Sequence, residues 1–150
     1  MSEHVQWLER TIDSPRVADP AQVAAVERAL GVSLPPDFLA IATVHQGARP
    51  SPGRLVLADG ASTVIERLYH FEDGPYALVN AQGSGIAPLP NSAIAFASGT
   101  GGDVLAFDYR RNPLAPPVIV VMHDHSPAVR PVADSFTHML SLFSKPSWEL

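Results

Sequence analysis

His123-Asp124-His125 is the densest run of metal-capable side chains in the sequence. In an extended segment, histidines at i and i+2 point the same way, and Asp124 or Asp103 could add an oxygen ligand. A third ligand at fixed spacing is missing, as is a helical histidine pair of the zinc-protease kind. The pattern therefore predicts a polar strand end meeting solvent before Ser126-Pro127, with no metal and no other cofactor. A metal-assisted hydrolase using His123, Asp124 and His125 is the alternative.

Gly99-Thr100-Gly101-Gly102-Asp103 has the glycine content of a phosphate nest. It leads into a strand rather than a helix N-terminus, and Asp103 would repel an anion. A tight hairpin whose glycines take positive φ is the expectation. Gly83-Ser84-Gly85 lacks the strand-to-helix setting of a nucleophile elbow. His45 reads as a core or boundary histidine and His138 as an exposed one. Lys145 is the only lysine, next to a proline in the tail, which removes a P-loop and Schiff-base chemistry together. No serine, histidine and acid converge in sequence, so no catalytic residue is predicted and the chain is not expected to be an enzyme.

Acidic residues are unevenly placed. Asp59, Glu66, Glu72, Asp73, Asp103 and Asp108 stand against Arg67 alone between positions 59 and 108, which accounts for the whole net charge of −5. Two readings remain open. The excess either keeps a small domain soluble, or forms a face that steers a basic partner.

The elements that must position these groups can be read from periodicity and punctuation. Val5, Leu8 and Ile12, with Trp7 beside them, predict a first helix ended by Pro15. A second helix starts at an Asp19 cap with Pro20 in its first turn and stops at Gly31. A third begins at Pro35-Pro36-Asp37, places Phe38, Ile41, Ala42 and His45 on one face, and closes at Gly47. Positions 48–53 read as loop. Strands follow at Leu55–Leu57, Thr63–Phe71, Ala93–Phe96, Val104–Tyr109 and Val118–Met122, with the aromatic face of Val104–Tyr109 toward the core. Positions 74–90 read as a loop with one short helix at most. A closing helix is capped by Asp134 or Ser135 and lined by Phe136, Met139, Leu140 and Phe143. The fold class is α+β: N-terminal helices, a mainly antiparallel curved sheet, and a C-terminal helix packed on it.

Composition fits one domain of 150 residues, 46% hydrophobic and without cysteine. Disulfides, zinc-thiolate sites and thiol catalysis are excluded. The acidic balance argues against a nucleic-acid partner. No basic segment leads into an apolar run at the N-terminus, and the longest aliphatic stretch is Val118–Met122. A cytoplasmic chain with no membrane association is expected.

Four stretches together resemble the SUKH superfamily, found in yeast cell-wall-assembly regulators and bacterial immunity proteins. They are Val26–Phe38 with Leu34-Pro35-Pro36-Asp37-Phe38, the glycine-turn hairpin Phe96–Asp108, the strand Val118–Asp124 with its polar end, and Val132-Ala133-Asp134-Ser135-Phe136. Where the family carries asparagine-glycine after the third helix, this chain has His45-Gln46-Gly47. The likeness runs from Trp7 to Phe143 as a single domain. It implies a non-catalytic protein-binding domain, an immunity protein that occludes a cognate toxin. Such toxins are often nucleases with basic substrate grooves. The partner-binding candidates are the acidic residues named above; an intracellular regulatory scaffold is a further alternative.

Overall fold

The structure is a computed structural model, and it describes residues 5–9, 17–82, 88–125 and 127–145. Helix α1 (Pro20–Leu30) begins where the punctuation places it. Asp19 accepts from the Gln22 N–H at 2.8 Å, Gln22 Oε1 accepts from the Asp19 N–H at 3.0 Å, and Gly31 ends the helix at φ 74°. Helix α2 (Pro36–Ala42) starts at the double proline and buries Phe38 and Ala42. It ends at Ala42 rather than Gly47, so His45 lies in the following turn. Helix α3 (Phe136–Ser141) is capped by Ser135, whose hydroxyl accepts from the His138 N–H at 3.0 Å.

Between α2 and α3 the chain forms an antiparallel meander. Strands β3 (Arg54–Val56), β4 (Ser62–Leu68), β5 (Ala93–Gly99), β6 (Val104–Asp108), β7 (Val118–Val121) and β8 (Val129–Ala133) pair in chain order as one six-stranded sheet. The α+β expectation is met, with helices, a sheet without parallel pairs, and a closing helix.

Three local expectations give way to the structure. Gln6–Leu8 is strand β1, not helix, and pairs with β2 (Arg49–Ser51), which lies inside the stretch read as loop. Val5 is buried, Trp7 is half-buried, and Gln6 and Leu8 are exposed, so a two-residue period won over the helical spacing. Ile12 and Pro15 lie outside the described residues. Pro50 is tolerated in β2 because it faces only β1 across the ladder. Strand β8 carries no strand signal in the sequence, because Arg130 and Pro131 interrupt its alternation. It is the sheet edge, where a missing N–H costs least.

One side of the sheet carries the main core, with Phe38 at its centre. Its ring meets Phe96, Phe107 and Phe136 edge-on at centroid distances of 5.4, 5.3 and 5.3 Å, and all four are fully buried. The other side has a small apolar cluster of Ala93, Ala106 and Ile119. Every residue of β6 and β7 is therefore buried, which accounts for the unbroken aliphatic run Val118–Met122.

Candidate functional site

Two regions bring chemistry-bearing residues together. The first is the end of the sheet where the β5–β6 and β7–β8 turns lie side by side. The glycine-rich turn is a single 3-10 turn over Thr100–Gly102, with Gly101 at φ 68°. Thr100 anchors it to β4: its hydroxyl donates to Val64 O and accepts from the Val64 N–H, both at 3.1 Å. Gly99 must lack a side chain, since a Cβ there would lie 2.6 Å from Thr63 Oγ1. The turn thus delivers Asp103 to a fixed position. The β6–β7 register pairs Val104 with Val121, which sets Asp103 beside the segment that follows β7.

His123 arrives there. Its Nδ1 lies 3.4 Å from Asp103 Oδ1, and both atoms are buried without a hydrogen-bond partner. The extended geometry expected for 123–125 is replaced by a turn. His125 consequently does not join His123; its Nδ1 bonds Asp124 Oδ1 at 2.7 Å, which holds the Asp124 carboxyl below its usual pKa. Asp103, His123 and Asp124 each place a ligand atom within 4.8 Å of the others. Of the groups the sequence offered, the structure thus brings His123, Asp124 and Asp103 together and leaves His125 out.

The second region is a cleft of about 550 Å³ between α1 and the turns at 71–80. Gln22, Ala25 and Val26 form one wall, and Phe71, Ala77 and Val79 the other. Glu72 and Asp73 line it, and Glu72 also faces Asp19 and Val17 across an adjoining cleft. Neither Glu72 nor Asp73 forms an ion pair with a described residue. Exposed apolar groups lie nearby: Val17 and Val79 line these clefts, and Tyr76 carries the Arg67 guanidinium 3.8 Å above its ring. His70 stands behind this edge. Burial lowers its pKa, against the opposing pull of Glu72, and its Nδ1 accepts from the Glu72 N–H at 3.2 Å. None of Val17, Tyr76 and Val79 stood out in the sequence, because single exposed apolar residues carry no signal until the fold groups them.

The six acidic candidates do not share one face equally. Glu66 and Asp73 are exposed and Glu72 half-buried. Asp59 is exposed but engaged: it accepts from the Ala61 N–H and pairs with Arg130, and both lower its pKa. Asp108 is 1% exposed and takes a two-pronged bond from Arg110, at 2.9 and 3.0 Å, which lowers its pKa. Asp103 is 5% exposed. Asp103 and Asp108 therefore add little to a surface field, and Asp108 closes the turn after β6. His45 stacks on Trp7 and meets Glu9 at 2.5 Å, a boundary position; His138 is exposed. Ser84 lies outside the described residues.

An antiparallel meander with a helix pair before it and a capped helix after it defines an α+β domain. The SMI1 / KNR4 family (SUKH-1) matches residues 17–142, and the chain belongs to that family. No curated protein and no solved structure gives a significant match. Among the described residues no helix is long and apolar enough to cross a membrane.

Proposed function

We propose that this chain is a non-catalytic protein-binding domain, an immunity protein that occludes a cognate bacterial toxin in the cytoplasm. Family membership supports a protein partner, and the cleft beside Glu72 and Asp73 carries the reading. Two carboxylates without cationic partners among the described residues, set beside exposed Val17, Tyr76 and Val79, offer both parts of an interface: apolar area for affinity and charge for steering. The partner surface is basic, as a nuclease groove is. Glu66 is exposed on β4, Arg130 offsets Asp59, and a cation, Arg67 over Tyr76, is placed at this edge, so the steering charge is assigned to Glu72 and Asp73. An interface of standard size, about 800 Å² on each side, would cover the cleft and its apolar margin.

The test is co-expression with the product of the neighbouring gene, followed by co-purification and assay of that product's activity with and without this chain. A stable complex in which the activity is blocked supports the proposal. A product that neither co-purifies nor loses activity contradicts it.

A further inference from the structure

We infer that Asp103, His123 and Asp124 form a binding site for a single transition-metal dication with zinc-like preferences, independent of the protein-binding reading. The observation that carries it is a pair of orphans. Asp103 is 5% exposed, yet its Oδ1 accepts no hydrogen bond; the Nδ1 atom of the half-buried His123, facing it, is also buried and without a hydrogen bond. Buried polar atoms are almost always satisfied, so two facing each other mark the place of a missing partner.

Their separation says what kind. At 3.4 Å the atoms are too far apart for a good N–H···O bond, which closes to about 2.7–3.2 Å. In a tetrahedral site with bonds of about 2.1 Å, neighbouring ligand atoms lie about 3.4 Å apart. Asp124 supplies a third ligand atom within 4.8 Å of both, and as an exposed side chain at a turn it can close the remaining gap by rotation. Its Oδ1 holds His125 Nδ1 at 2.7 Å, so a second carboxylate oxygen remains for the metal while His125 orients the group from behind. One imidazole nitrogen and two carboxylate oxygens suit zinc, with water in the fourth position. Magnesium, which demands octahedral oxygen ligation and sheds water reluctantly, suits the set poorly.

The site is built rather than incidental. Thr100 pins the glycine turn to β4, and the β6–β7 register fixes Asp103 opposite the end of β7. Gly101 takes φ 68°, the left-handed conformation that the turn carrying Asp103 toward His123 requires. Two turns far apart in sequence thus supply ligands from one end of the sheet, and a bound ion would clip them together.

The test is calorimetric titration of the EDTA-stripped, dialysed full chain with Zn²⁺. The wild type should bind one ion per chain. Asp103→Asn and His123→Gln should each weaken binding roughly tenfold or more, as loss of a ligand does, while His125→Gln changes it less. Circular dichroism of each variant reports its folding. Should a variant fail to fold, Co²⁺ added to the wild type gives a second readout, with the intense visible bands of four-coordinate cobalt expected. The inference is overturned by any of three results: no stoichiometric Zn²⁺ binding; affinity unchanged in a folded Asp103→Asn, which would place the ion on the surface histidines; or only the faint spectrum of octahedral cobalt.

Discussion

Asp37 Oδ2 accepts two hydrogen bonds from Thr137, one from its backbone N–H and one from its hydroxyl, each 2.9 Å long. The bonds join the first turn of α2 to the first turn of α3 across one hundred residues of sequence. Beside them, Phe38 and Phe136 meet edge-on at 5.3 Å. The two stretches that mark the family near the start and the end of the domain are therefore one contact. Removing the carboxylate with Asp37→Ala should cost about 1–3 kcal/mol, the range for a hydrogen-bonded charged group. Thr137→Val removes only the hydroxyl bond and should cost about 1 kcal/mol. Because they share an acceptor, the double variant should lose less than the sum in urea unfolding.

Phe38 should be the most sensitive core position. It is fully buried and touches three other fully buried phenylalanine rings. Phe38→Ala should cost about 3–5 kcal/mol, enough to unfold a marginal domain, and Phe38→Leu clearly less. Thermal unfolding of the two variants checks the order; equal losses would remove Phe38 from the centre of the core.

Asp108 should make stability depend on acid. Arg110 bonds its buried carboxylate and lowers its pKa below the ordinary 3.8. A group whose pKa is lowered on folding stabilises the fold above its unfolded value, and the contribution disappears as pH falls through the folded value. Wild-type stability should thus drop on acidification below about pH 4, while Asp108→Asn, already weaker at neutral pH by about 1–2 kcal/mol, should drop less. Urea unfolding at a series of pH values measures it. Parallel losses in both proteins would mean that the Arg110 bond contributes nothing.

Much of this architecture was legible because it is written locally. Asp19 and Gly31 bound α1 and Ser135 caps α3 through bonds within a few residues, while the double proline starts α2 by its fixed φ with no side-chain cap. What escaped depends on distant partners. Trp7 sits in a strand only because Pro50 lies opposite it, and β8 forms at the edge of a sheet that β7 must first complete. The candidate sites divide the same way. Asp103 reads in the sequence as a candidate oxygen ligand and as one of the acidic residues; its burial and its approach to His123 follow from strand register. Asp108 reads as part of an acidic surface until Arg110 folds back on it. Glu72 and Asp73 kept their place as surface charges, but the cleft they line needed α1 packed against the 71–80 turns.

The central claim is that a basic protein partner is steered onto the Glu72–Asp73 cleft, and association kinetics test it most directly. Rates would be measured for the wild type and the Glu72→Lys/Asp73→Lys variant with the neighbouring gene's product, at low salt and at physiological ionic strength. Exposed charges are screened over about 8 Å in the latter. The wild type should associate fast at low salt and markedly more slowly at physiological salt. The variant's association rate should fall more than its dissociation rate rises. Its stability should change by only about 0.5 kcal/mol. Equal, salt-independent association of both proteins would contradict the account.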